Sequence, residues 1–165
     1  MKAVVVYESL WGNTASVARA IAEGIGPDAR ALSTAEADGE ALDGAELIVG
    51  GAPLLGFTLP TDGMRETIRT SHENPPKPPD LSAPSMRSWL STVPNGSGRC
   101  AAFETRIWWS PGSAAKKIDA GFQAAGFSSV AKPQKFVVTG RYGPLRDGEL
   151  ERAREWGAQL ARSAG

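Results

Sequence analysis

Compact apolar runs alternate along this chain with stretches in which apolar residues return every three or four positions. Val4-Val5-Val6 is followed at once by polar and glycine residues, the pattern of a buried parallel strand ending in a loop, and predicts a first strand at about 2–7. Over 13–24 the residues Val17, Ala18, Ile21, Ala22 and Ile25 recur at helical spacing, with Gly24 and Gly26 as stop signals. Residues 29–32 form a second strand candidate, and Leu47-Ile48-Val49 a stronger third, closed by Gly50-Gly51-Ala52-Pro53. Cys100-Ala101-Ala102-Phe103 reads as the fourth strand, with 104–111 as the loop behind it, and Phe136-Val137-Val138 as the fifth. Amphipathic helices are predicted over 113–125, with Ala114, Ile118, Phe122 and Ala125 inward, and over 147–162, with a stripe of Leu150, Ala153, Trp156, Leu160 and Ala161.

Between 54 and 84 the periodicity breaks down. Pro75-Pro76-Lys77-Pro78-Pro79 can only be extended, polyproline-like chain, so 57–84 reads as a long surface excursion of a single domain. Within it a short helix is predicted over 62–70, with Met64 and Ile68 on one face and Asp62 near its positive end. Ser85 is a fair N-cap for a helix running through Trp89 and Leu90 to about 92. Strands alternating with helices predict an α/β fold, a doubly wound five-stranded parallel sheet with helices on both faces. For five strands the common order is 2-1-3-4-5, with ligands at the carboxyl ends near the switch between strands 1 and 3.

Composition narrows the functional classes. The 18 basic and 18 acidic residues cancel, which leaves no electrostatic footprint for nucleic acid or an anionic membrane. No apolar run approaches the roughly 18 residues that span a bilayer, and the first residues lack a small-residue cleavage site, so a cytoplasmic protein is expected. A lone Cys100 cannot form an internal disulfide, and with His72 as the only histidine a structural metal is not expected. Cys100 reads as a core residue and His72 as a surface one. No hydrolase elbow, P-loop or dinucleotide fingerprint follows the first strand.

Three loops leave the carboxyl ends of the clearest strands. The first, Ser9-Leu10-Trp11-Gly12-Asn13-Thr14, brings two hydroxyls and a run of backbone N–H groups to a helix N-terminus, a natural site for a phosphate monoester. The competing reading is that Asn13 or Thr14 merely caps the helix. The second, Gly51-Ala52-Pro53-Leu54-Leu55-Gly56, has the small residues that let backbone pass close to a flat ring, or is a plain strand exit. The third carries Glu104-Thr105-Arg106 and then Trp108-Trp109, of which one indole could cover a ring face, or both could pack on the excursion. Arg106 is either a cation beside the ring or a solvated surface charge.

The stretch from Val5 to Ile21, with Ser9, Gly12, Asn13 and Thr14 between an apolar strand and an Ala-rich helix, resembles the flavodoxin signature, and the element order agrees over nearly the whole chain. The resemblance implies an FMN cofactor, with Ser9, Asn13 and Thr14 holding its phosphate by their side chains and Trp11 and Gly12 by their amides. It also implies electron transfer, as a carrier or a small flavin oxidoreductase, with redox proteins or a small-molecule acceptor as partners and a monomer or weak dimer as the assembly. Leu10 and Trp11 depart from the hydroxyl residues many members carry, and the neutral balance departs from their usual acidity. Leu54 stands where a stacking aromatic is frequent. An interaction or regulatory module that no longer binds FMN is the alternative. In a reductase, the excursion would wall a substrate site.

Overall fold

The structure is a computed structural model that describes residues 1–165. Its elements in chain order are β1 (Ala3–Tyr7), α1 (Asn13–Ile25), β2 (Ala29–Ser33), α2 (Gly39–Leu42), β3 (Leu47–Pro53), α3 (Asp62–Arg69), α4 (Met86–Leu90), β4 (Arg99–Ile107), α5 (Ala115–Ala124), β5 (Ser128–Ser129), β6 (Gln134–Val138) and α6 (Glu149–Ala164). All pairings are parallel, and the order runs β2-β1-β3-β4. The fifth position is shared: β5 pairs with Arg99 and Cys100 at the start of β4, and β6 with Phe103–Ile107 at its end. The predicted sheet order 2-1-3-4-5 is therefore present, with its last strand interrupted.

Strand alternation sorts the apolar residues into two cores. Val4, Val6, Ile48, Cys100 and Ala102 face Ile118 and Phe122 of α5 and Trp89 of α4. Val5, Val49, Ala101 and Phe103 face Val17 and Ile21 of α1 and Trp156 and Leu160 of α6. In the second core the rings of Phe103, Phe136 and Trp156 meet edge to face, with centroids 6.0 to 6.4 Å apart.

Several glycines serve packing rather than turning. Gly24 lies inside α1, where a Cβ would stand 2.0 Å from the carbonyl of Arg154, and Gly157 of α6 faces Ile21 in the same way at 2.2 Å. The two helices cross with backbones in contact, so Gly24 is no stop signal and the helix ends at Gly26, whose amide reaches the Ala22 carbonyl. Gly50 and Gly51 belong to β3 itself. Gly50 gives room to Ile118 and Phe122, and a Cβ on Gly51 would sit 2.0 Å from the ring of its cross-strand partner Phe103.

Other boundaries also move. β4 runs on to Ile107, so Glu104, Thr105 and Arg106 are strand residues, because pairing with both β3 and β6 continues through them. Leu150 is exposed, since the inward phase of α6 begins at Glu149, whose carboxylate accepts from the Val137 amide at 2.6 Å. The short elements α2 and β5 carry too few apolar residues to announce themselves in the sequence. The helix in the excursion is as expected, with Thr61 capping it by accepting from the Met64 amide at 3.1 Å.

Candidate functional site

The carboxyl ends of β1, β3, β4 and β6 meet on one side of the sheet, around a cleft lined by Ser9, Trp11, Asn13, Thr14, Leu54 and Thr105. Two direct bonds lock the convergence. The hydroxyls of Thr14 and Thr105 meet at 2.8 Å, and the Leu54 amide donates to the Thr105 carbonyl at 2.9 Å. Thr105, a residue of β4 itself, is thus the point where α1 and the exit of β3 meet.

The first loop is organised by Ser9. Its hydroxyl oxygen accepts from the amides of Gly12 and Ala15 at 3.1 and 3.2 Å, so it caps the helix start from a distance. Neither Asn13 nor Thr14 caps α1. Asn13 donates through Nδ2 to the Tyr142 carbonyl at 3.2 Å, and Thr14 is tied to Thr105. Helical bonding begins with the Ser16 amide on the Gly12 carbonyl, and no acceptor in the protein meets the amides of Leu10, Trp11, Asn13 and Thr14. Two of these free donors lie at the positive end of a thirteen-residue helix and two in the turn before it, the kind of donors that an anion site uses. Gly12 permits this turn by its left-handed backbone, φ 95°. A further donor, the indole N–H of Trp11, is buried with no acceptor.

The excursion is the largest contribution that the sequence left undefined. It folds back over the first loop instead of away from it. Arg65 of α3 pairs with the buried carboxylate of Glu8 at 2.7 Å, and the Met86 amide donates to the same group at 2.9 Å. Burial pushes the Glu8 carboxyl above its ordinary range, opposed by those donors. The Asp80 amide reaches the Leu10 carbonyl at 2.8 Å. Glu73 accepts from Arg141 Nη1 at 2.7 and 2.6 Å and from the Tyr142 hydroxyl. The Tyr142 hydroxyl and Arg141 hold the Glu73 carboxyl below its ordinary value. Between these two anchors the polyproline segment crosses the loop as a strap and brings Lys77 Nζ to Gly12, 3.0 Å from where a Cβ would stand. Leu10 and Trp11 are buried, which accounts for apolar residues where hydroxyls were expected.

Solved structures share this architecture. An archaeal flavodoxin superposes with a TM-score of 0.69 at 22% identity, over 99% of either chain. Oxidised flavodoxin 1 of Bacillus cereus gives 0.66 at 20% over 98% of either chain. This is a flavodoxin fold. The flavodiiron core Flv1 of Synechocystis sp. PCC6803 contains it too, with a TM-score of 0.65 at 22% identity; the present chain spans 99% of its own length but 36% of that protein's. No protein-family model and no curated protein sequence matches the chain.

On this flavodoxin fold the remaining predicted residues fall into two groups. Pro53, Leu54 and Leu55 line the cleft and Gly56 turns the chain just beyond them. Trp108 and Trp109 follow directly on β4 and are 74% and 62% exposed. Gly51 and Ala52 are instead buried within β3. Glu104 and Arg106 are buried as an ion pair at 3.0 Å, in place of a solvated or ring-facing arginine. The Glu104 carboxylate also accepts from Ser113 Oγ at 2.9 Å and the Ala115 amide at 3.2 Å, so the pair pins the start of α5 to the sheet. Three residues at the site were missed. Arg141 and Tyr142 follow a strand's carboxyl end, the same criterion that found the other loops, whereas Lys77 left only a cation in a proline run as its signal.

Proposed function

We propose that the chain binds FMN non-covalently and serves electron transfer, as a carrier to redox proteins or as a small flavin oxidoreductase acting on a small-molecule acceptor. The observation that carries this reading is the set of four unpaired amides at Leu10, Trp11, Asn13 and Thr14, gathered where the strand-end loops converge. When bound, FMN supplies the redox chemistry, and the protein supplies binding, orientation and exclusion of water.

The residues present fit that group at its phosphate end. Amide donors and the helix dipole complement a dianion, and Lys77 adds a charge that the loop alone lacks. The inner cleft, of ≈ 70 Å³, is well under the ~300–1,000 Å³ usual for small-molecule sites, so it does not enclose the flat ring. Arg106 adds no net charge beside it, being paired with Glu104. The same small cleft favours the second reading, a flavodoxin-like module without cofactor. Titration with FMN separates the two. Quenched flavin fluorescence, a raised melting temperature and reversible anaerobic bleaching are expected; unchanged spectra and melting at saturating FMN would leave only the fold.

A further inference from the structure

The amide loop sits inside a closed ring of contacts. On one side the strap comes down on it, with the Asp80 amide on the Leu10 carbonyl at 2.8 Å and Lys77 Nζ at Gly12. On the other, the loop after β6 bears on Asn13. Its Nδ2 donates to the Tyr142 carbonyl at 3.2 Å, and its Oδ1 would lie 2.5 Å from a Cβ on Gly143. Glu73 joins the two sides, because it leads into the strap and accepts from Arg141 and from the Tyr142 hydroxyl. Arg141 and Trp11 line both the inner cleft and an outer cavity of ≈ 290 Å³ under the strap, so this clasp stands at the boundary between the two spaces.

The two anchors of the strap differ in strength. Arg65 and Glu8 pair at 12% and 2% exposure, and Arg65 also donates to the carbonyls of Leu81 and Ala83 at 3.3 and 2.5 Å, which ties the strap's exit to the sheet. Separating such a pair leaves a charge buried without a partner, so this end stays shut. Arg141 and Glu73 are 47% and 52% exposed, where water and salt offset most of what an ion pair gains. The four prolines around Lys77 fix their own φ angles, so the segment between the anchors moves as a stiff piece. We propose that the Glu73 clasp is the gate of the phosphate site. Release of Arg141 and Tyr142 lifts the strap at that end, an anion reaches the amides, and reclosure sets Lys77 on it. The proposal rests on the reading of the amide loop as an anion site.

Two measurements on the full chain test the gate. Stopped-flow mixing with FMN, followed by flavin fluorescence, gives the association and dissociation rates. Hydrogen exchange without ligand reads the cover over residues 10–14, because the amides of Leu10, Trp11, Asn13 and Thr14 have no acceptor and are slowed by cover alone. Glu73→Gln, a change on an exposed side chain, is expected to raise both FMN rates severalfold and to speed that exchange, with Kd and melting temperature nearly unchanged. An affinity loss carried by dissociation alone would make Glu73 a support of the bound state, and unchanged rates and exchange would make the strap a fixed wall. Either result overturns the gate and leaves the FMN reading standing. Failure of FMN to bind to either chain would overturn the FMN reading, and the exchange result would still decide for or against the gate.

Discussion

Lys77 Nζ lies 3.0 Å from the point where Gly12 would carry a Cβ, so a cation from the polyproline strap faces the turn that opens α1. Lys77→Ala should weaken FMN by roughly tenfold, the worth of one charge-assisted contact, and leave riboflavin, which has no phosphate, unchanged. Equal losses for both ligands would place Lys77 away from the phosphate.

Gly12→Ala attacks the same place from the other side. At φ 95° an L side chain costs about 1–2 kcal/mol, and the new methyl would also displace the Lys77 ammonium. Denaturant unfolding should show that loss, with FMN affinity falling as well.

The hydroxyl pair of Thr14 and Thr105 is buried at 2.8 Å. Thr14→Val strands the Thr105 hydroxyl and should cost about 1–3 kcal/mol, whereas the double change to Val removes both polar groups and should cost less than the sum. A double-mutant cycle by chemical denaturation reads this coupling.

Gly51→Ala places a methyl against the ring of Phe103, and Gly24→Ala one against the Arg154 carbonyl. Each should destabilise by about 1–3 kcal/mol or more through overpacking, with the backbone clash at Gly24 the worse because backbone cannot rotate away. Melting temperatures of the two variants check the ranking.

Glu149 ties the end of β6 to the start of α6 and so holds the loop bearing Arg141 and Tyr142. Burial opposes its charge most strongly, but donors from Arg152, the Val137 amide and Arg146 outweigh it and draw its pKa from 4.5 to about 2. A depressed carboxyl stabilises the fold above its unfolded pKa and loses that contribution as pH falls through the folded value. On the order of 3 kcal/mol at neutral pH should therefore disappear between pH 4.5 and about 2. Glu149→Gln should flatten this part of the acid-unfolding curve.

Cys100 is enclosed in β4, and burial pushes its thiol up to about 12, with Asp119 adding to the rise. A thiol reagent at pH 8 should label it only when the chain unfolds, at a rate that tracks denaturant.

Much of the fold is legible from local pattern. Val4-Val5-Val6, Leu47-Ile48-Val49 and the helical spacing of Val17 and Ile21 are strong because both faces of a parallel sheet must be covered, so apolar periodicity and burial coincide. The anion loop is legible for a similar reason: its donors belong to a contiguous segment, and only the local turn decides where they point. The glycines mislead, because Gly24 and Gly51 answer to Arg154 and Phe103, residues distant in the chain.

By itself, then, the order of residues determines the parallel sheet, the place of its ligand end and the amide fan that opens the first helix, since these follow from period, propensity and neighbouring backbone. Only the tertiary structure decides that Glu104 and Arg106 neutralise each other inside the molecule, that Trp108 and Trp109 remain exposed, and that a proline-rich segment returns to bring Lys77 to Gly12. Charge pairing, exposure and close approach depend on distances between residues far apart in sequence, and those exist only once the chain has folded.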